Sequence, residues 1–329
     1  MANTQVLQAE NRADVQQAIA LLGAGELVAV PTETVYGLAA DARNVDAIKK
    51  IFIAKGRPSS HPLILHIDSA EKLAEWAQDI PPMAHALAHY FWPGPLTMIL
   101  KKKSTVSPVI TGGLSTVAVR VPDHPVLRSI MTSLNTGLVA PSANPHTKLS
   151  PTCAEHVMAN LGGKIAAVLD GGPCAVGVES IIVDLTGEQP VILRKGPITQ
   201  AIIEKVLSCS VVAPDQHTTP VSGNMLKHYQ PYTPSVLMET PALRAHADTL
   251  QACQERVGYM YYSDVPMLLQ YDTAIKVPGD SKGYRQVLYD TLHQLDQLGV
   301  QKIIIEAPPR TQEWGDVWDR LSRATAIGD

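Results

Sequence analysis

Apolar residues recur every three to four positions over residues 13–22, which predicts an amphipathic helix, with Gly23 and Gly25 as its stop. Residues 27–30 form a short apolar run closed by Pro31, the mark of a buried strand. The polar word Thr32-Glu33-Thr34-Val35-Tyr36-Gly37 follows directly. A second helical pattern over 45–55 places Ile48, Ile51 and Phe52 on one face. Over 63–67 the period falls to two: Leu63, Leu65 and Ile67 face one way, Ile64 and His66 the other. Residues 115–121 give the clearest strand, with its valines on one face and Thr116, Ala118 and Arg120 on the opposite one. An arginine in register with a threonine on an apolar strand calls for a buried or half-buried anion. Further strands are expected at 166–169, 180–185 and 191–194. The uneven order of helices and strands indicates α/β or α+β with a partly antiparallel sheet.

After a helix near 199–207 the pattern changes. Residues 212–234 carry Pro214, Pro220, Gly223, Pro231 and Pro234 with no periodicity, so they read as a linker. Lys227, His228 and Tyr229 are unusual in an inert tether, and long ordered loops in enzymes are often lids. Beyond it, strand patterns (236–239, 257–262, 274–277, 302–306) alternate with helical ones (243–254, 284–298, 314–324), which predicts a small βαβ domain with a parallel sheet. No G-x-G-x-x-G follows its first strand, so it is not read as a dinucleotide site. The organisation expected is a first domain over 1–208, a linker or lid over 209–234 and a C-terminal α/β domain over 235–329.

Composition narrows the function. A chain of 329 residues is comfortable for two domains, and 45% hydrophobic with 18% charged residues is ordinary for a globular protein. A net charge of −4 argues against a general nucleic-acid coat but leaves room for a local basic pocket. Cys153, Cys174, Cys209 and Cys253 are widely spaced, which suggests neither zinc nor a disulfide framework. No secretory signal and no apolar run near the ~20 residues of a membrane span is seen, so a cytoplasmic protein is expected. G-x-S-x-G, H-E-x-x-H, Walker and kinase signatures are absent, and His85 and His89, at i and i+4, read as a surface pair.

Two words carry the candidate chemistry: Lys55-Gly56-Arg57-Pro58 and Pro141-Ser142-Ala143-Asn144. Each places phosphate-seeking side chains at i and i+2, which extended backbone points to one side, and Pro58 biases Arg57 out of the helical region. Two cations with a hydroxyl and an amide suggest a polyanion site for a nucleotide. Each feature has a plain alternative: a solvated helix C-terminus for Lys55 and Arg57, a capped turn for Ser142 and Asn144, a structural carboxylate for Arg120, an exposed strand end for Arg194, a half-buried core histidine for His66.

Taken in order, Pro31-Thr32-Glu33-Thr34-Val35-Tyr36-Gly37-Leu38, Lys55-Gly56-Arg57-Pro58, Trp92-Pro93-Gly94-Pro95-Leu96-Thr97, Val117-Ala118-Val119-Arg120, Pro141-Ser142-Ala143-Asn144, Gly177-Val178-Glu179-Ser180 and Leu193-Arg194 resemble the YrdC-like domain of threonylcarbamoyl-AMP synthases, over roughly residues 10–208. The word over 223–231 and the C-terminal βαβ unit resemble the two-domain form. The resemblance implies a YrdC-like twisted mixed sheet with helices around an open cavity, plus a smaller Rossmann-like parallel α/β domain. It implies condensation of L-threonine, bicarbonate and ATP, with Mg²⁺ on the nucleotide, to threonylcarbamoyl-AMP and pyrophosphate. The product would pass to a downstream transferase that modifies the adenosine beside the anticodon of tRNA, with no membrane and no strong direct nucleic-acid binding. It implies an ATP set of Lys55, Arg57, His61, Thr116, Ser142, Asn144, Ser150, Arg194 and Tyr229, with Lys55, Arg57, Ser142 and Asn144 at the chemistry. The implied threonine set is Thr34, His66, Arg120, Ala140 and Ser180, with Arg120 facing the carboxylate. Three departures stand out: His61 where the family has asparagine, Lys195 where it has proline, and Gln230 where alanine is common. The competing reading is a paralogue that binds RNA or nucleotide without making the adenylate. A carbamoyl-transfer enzyme would carry additional acylphosphatase-like and zinc-finger-like segments.

Overall fold

Period-two apolar runs become strands here, and the period-3.6 segments become helices laid on them. The computed structural model describes residues 3–214, 217–223, 225–249 and 256–326. It divides into one unit of residues 1–146 and 150–224 and another of 147–149 and 225–329.

The first unit contains strands β1 (Gln5–Gln8), β2 (Val28–Val30), β3 (Gly37–Asp41), β4 (Ile64–His66), β5 (Leu96–Lys101), β6 (Thr116–Arg120), β7 (Leu138–Val139), β8 (Ala167–Asp170), β9 (Ile181–Asp184) and β10 (Val191–Arg194). They form one sheet in the order β1-β8-β2-β3-β7-β4-β6-β5-β9-β10. β1, β8 and β2 run parallel, as do β4 with β6 and β5 with β9, while the other pairings are antiparallel. Alternation sorts side chains to the two faces. Ala29, Leu38, Ala40, Leu65, Met98, Val117 and Val119 join Ile48, Ile51, Phe52, Leu87 and Val157 of the helices in one core. On the opposite face, Val28, Val30, Ala39 and Leu169 pack against Ala18, Leu22, Leu127, Ile130 and Met131. That second layer stops short of β4, β5 and β9. There Ile64, Ile99, Ile182 and Leu193 form a small cluster packed by Ala118, Val191 and Val221. Thus the backbone of the linker, rather than a helix, lies over this part of the sheet.

The expected elements are found with shifted ends. The first helix runs Arg12–Gly23 from an Asn11 cap, the second is Val45–Lys55 as expected, and the third is Gln200–Leu207. Periodicity did not announce β1, β3, β5 or β7, nor the helices Pro82–Phe91, Pro125–Leu134 and Ala154–Leu161. The second helix ends at a left-handed cap, Gly56 (φ 62°, ψ 34°). Lys55 and Arg57 therefore do not flank an extended residue, as the i, i+2 argument supposed. The linker also differs from a free tether: Ile192 and Val212 are hydrogen-bonded through their backbones, and residues 212–223 belong to the first unit.

The second unit holds β11 (Ser235–Met238), β12 (Val257–Tyr261), β13 (Ala274–Lys276) and β14 (Lys302–Glu306), all parallel, in the order β11-β14-β12-β13. Helices Thr240–Thr249, Ser281–Gln297 and Gly315–Ala324 accompany it, the last two joined by the buried Arg285–Asp316 ion pair at 2.6 Å. Residues 250–254 of the expected helix, and Cys253 with them, lie outside the described residues.

Candidate active site

Both cations of the first word are buried: Lys55 is 3% and Arg57 8% exposed, which excludes a solvated helix end. Lys55 ends the second helix, and its side chain reaches the backbone of the second word. Lys55 Nζ donates to the carbonyls of Ser142 at 2.5 Å and Asn144 at 2.6 Å. Burial, and secondarily the neighbouring Arg57, holds the Lys55 ammonium well below its ordinary value. A bound polyanion would supply the counter-charge that favours the protonated form. Arg57 Nη2 donates to Pro62 O at 2.9 Å and to Ser222 Oγ at 3.2 Å. The His61 ring meets His146 edge-on, with centroids 5.3 Å apart. Burial and Arg57 lower His61, and burial together with Arg57, His61 and Lys55 pushes His146 down to about 4.

The Ser142 word is tied to the Thr34 word by backbone pairing. Ala143 N–H donates to Tyr36 O at 2.8 Å, and Leu38 N–H to Pro141 O at 2.6 Å. Gly37 keeps this crossing close, because a Cβ there would stand 3.0 Å from that of Ala140 and 3.2 Å from its carbonyl oxygen. On the far side of the pairing, His66 and Arg120 are register partners on β4 and β6. Arg120 Nη1 donates to Thr34 Oγ1 at 3.0 Å, Nε donates to Gly94 O at 3.2 Å, and Nη2 lies 2.6 Å from Glu33 Oε1. The structural-carboxylate alternative for Arg120 therefore holds alongside the anion reading. Ala140 (7% exposed) ends the same strand region, and Ser180 (0%) shares a 2.8 Å hydroxyl contact with Thr97.

Arg194 joins the two groups. Its Nε and Nη2 donate to Ser180 O at 3.0 and 2.8 Å, and Nη1 donates to Ser222 O at 3.0 Å. It is 7% exposed, so it is not a free strand end. Thr116 lines a small slot of about 20 Å³ with Pro62, Ile64, Ile99, Ile182 and Ser222, over the part of the sheet that no second helix layer covers. Ser150 is fully buried and donates to Glu179 Oε1 at 2.6 Å. Tyr229 lies in the second unit, 1% exposed, at φ 59°, against Tyr289 and beneath the Arg320 guanidinium.

Known proteins share this sequence and fold. A family model described as "Telomere recombination" (Sua5/YciO/YrdC) matches residues 20–196, and one described as "Threonylcarbamoyl-AMP synthase, C-terminal domain" matches 198–326. The chain belongs to the Sua5/YciO/YrdC family. Within it, the threonylcarbamoyl-AMP synthase of Bacillus subtilis is 41% identical over 324 residues, covering 95% of this chain and 93% of the relative. That of Pyrococcus abyssi is 38% identical, covering 92% and 91%. The crystal structure of P. abyssi Sua5 complexed with L-threonine superposes with a TM-score of 0.89 at 35% identity, covering 98% of each chain. The chain has the two-domain Sua5 layout.

Two residues of this family member's cavity escaped the sequence reading. Ser222 comes from an aperiodic segment, and no local signal marks a serine that bridges two arginines. Glu33 sat inside a quoted word, but its partner Arg120 is 87 positions on. His66 also shows its role only in three dimensions. Burial and then Arg120 push its imidazole down to about 3, so it stays neutral in the folded protein. Protonation therefore favours the unfolded chain: the contribution is complete above about pH 6.5 and is lost as pH falls toward about 3. Melting temperature should drop across that window, with a limiting slope of about 1.4 kcal/mol per pH unit from this group. The variant His66→Gln should flatten the profile between pH 6.5 and 4, and an unchanged slope would assign the acid sensitivity elsewhere. No helix among the described residues is long and apolar enough to cross a membrane.

Proposed function

We propose that this chain condenses L-threonine, bicarbonate and ATP to threonylcarbamoyl-AMP and pyrophosphate, for threonylcarbamoylation of tRNA by a downstream transferase. The observation that carries the reading is the pairing of two buried cationic groups across one backbone junction, 36–38 against 141–143. Lys55 bonds the Ser142 and Asn144 carbonyls of one strand of the junction, Arg120 bonds Thr34 just ahead of the other and pairs in register with His66, and Arg194 spans Ser180 and Ser222. Two anionic substrates are thereby brought together without a protein nucleophile. N-carboxylated threonine attacks the α-phosphorus through its carbamate oxygen, and the α–β bridging oxygen departs with pyrophosphate. The protein's task is orientation and neutralisation of charge on the leaving group. Lys55, Arg57 and Arg194 meet the triphosphate, Ser142 and Asn144 line its path, and Thr116 lies toward the nucleoside. Ser150, His61 and Tyr229 complete the nucleotide set. Mg²⁺ enters as part of the ATP substrate. The buried carboxylates Glu33 and Glu179 face Arg120 and Ser150, so phosphate oxygens and water would be its main ligands. Thr34, His66, Arg120, Ala140 and Ser180 hold threonine.

The test is pyrophosphate release from ATP with threonine and bicarbonate each omitted in turn. Release is expected to need both. Release indifferent to threonine would refute the assignment and favour a nucleotide-binding paralogue.

A further inference from the structure

Glu33 is a buried carboxylate that the proposed reaction leaves without a task. It is 8% exposed, and neither of its oxygens accepts a hydrogen bond among the described residues. Arg120 Nη2 approaches Oε1 to 2.6 Å as an ion pair but off the hydrogen-bonding line, so that nitrogen too lacks an acceptor. Arg120 balances the charge, but a buried acceptor without a hydrogen bond still costs roughly 1–3 kcal/mol, and Oε2 has neither, so the arrangement points to a donor that arrives from outside. The loop is held firmly: Thr32 Oγ1 accepts from the N–H groups of Thr34 and Val35, and Glu33 O accepts from Val176 N–H at 2.8 Å.

An α-amino acid presents a carboxylate and an ammonium on adjacent atoms. Among Thr34, His66, Arg120, Ala140 and Ser180, only Arg120 offers charge, and it answers only the carboxylate. We propose that Glu33 binds the ammonium of L-threonine and accepts its proton, freeing the amine for carboxylation. This deepens the proposed function and rests on it. In the first step an N–H proton passes to Glu33, giving a neutral amine and a carboxylic acid. The amine lone pair then forms the C–N bond to bicarbonate carbon. The C–OH bond breaks, and the hydroxide leaves as water with a second N–H proton. The products are the carbamate and one water, and Glu33 returns its proton to solvent. The other titratable groups facing Glu33 are Arg120, His124 and Cys174. Burial keeps the histidine low despite Glu33 and Asp123, and keeps the thiol high. Neither is a competing base in charged form at neutral pH.

The isosteric variant Glu33→Gln keeps an oxygen acceptor but carries no charge and takes no proton. For threonine its kcat/KM should fall about 100-fold or more at pH 7, with KM for ATP within about twofold of wild type. Its rate should climb close to tenfold per pH unit between pH 7 and 9, following the free amine, while the wild type stays flat across that range. Wild-type kcat/KM with a wild-type pH profile would overturn the proposal. Should the variant not fold, binding to the wild-type protein decides: 2,3-dihydroxybutyrate, a hydroxyl in place of the ammonium, should bind about 100-fold more weakly than threonine, and equal binding overturns the role. If wild-type protein releases no threonine-dependent pyrophosphate, the functional reading fails first, and the same binding comparison still judges Glu33.

Discussion

Replacing Arg57 with alanine is expected to lower kcat/KM for ATP about a thousandfold while the fold survives. The expected catalytic loss follows from burial and rests on the proposed function: a guanidinium 8% exposed beside Lys55 would meet phosphate charge in a water-poor setting, where fixed donors are worth most. The small structural effect follows from two opposing changes. Truncation removes the donor to the Ser222 hydroxyl and one of two donors to the Pro62 carbonyl, which keeps Ser222 Oγ at 3.1 Å, costing about 1 kcal/mol. It also removes a buried like charge from Lys55, whose pKa Arg57 depresses. The net effect should be no more than about 1 kcal/mol, or 2–4 °C in Tm. Arg57→Lys should rescue little, because one ammonium lacks the planar fork that serves two acceptors and a phosphate. Pyrophosphate release and thermal melts on the two variants check this. Wild-type turnover in Arg57→Ala would remove the residue from the site.

Legibility of the site in sequence followed the range of each interaction. The cations were visible because Lys55 closes a periodic helix and Arg57 precedes a proline. Their geometry was not. The i, i+2 argument assumed extended backbone, whereas Gly56 is left-handed and Lys55 is caught by carbonyls 87 and 89 positions on. Backbone acceptors have no side-chain signature, so the cage around Lys55 could not be read. Strands β2, β6 and β10 were legible from apolar runs, while β3, Gly-Leu-Ala-Ala-Asp, is made of small residues and reads as neither period. β5 overlaps a motif word and was taken only as a motif. The linker's prolines suggested a tether. In the structure 220–222 roofs Ile64, Ile99 and Ile182, because the helix layer on that face stops short of them. The resemblance supplied residues; only the fold showed that Arg194 and Ser222 tie the two halves together.

Gly196→Ala is expected to lower Tm by about 10 °C and to raise KM for ATP and threonine together. Gly196 is not a glycine of necessity through its φ; its constraint is proximity. A Cβ at this position would stand 2.3 Å from Ile181 N and 2.7 Å from Ile181 Cα, against about 3.5 Å for a relaxed contact. The obstacle is backbone, so no rotamer change can relieve it. Ile181 N–H donates to Pro95 O at 3.0 Å, and β9 pairs with β5 from Leu96 onward, so any retreat strains the ladder at its first rung. Overpacking and a weakened ladder bond together cost about 3 kcal/mol. The same retreat moves Ser180, whose carbonyl receives Arg194 and whose hydroxyl meets Thr97. Because Arg194 spans Ser180 and Ser222, displacement of one strand end should disturb nucleotide and amino acid alike. Arg57→Ala, by contrast, should act on ATP alone. Gly187→Ala is the control: its Cβ would meet only Gln189 O at 3.9 Å and should change stability by less than about 0.5 kcal/mol. A Gly196→Ala protein with wild-type Tm would show that β9 yields freely, and a rise in KM for one substrate only would show that Arg194 does not couple the two halves.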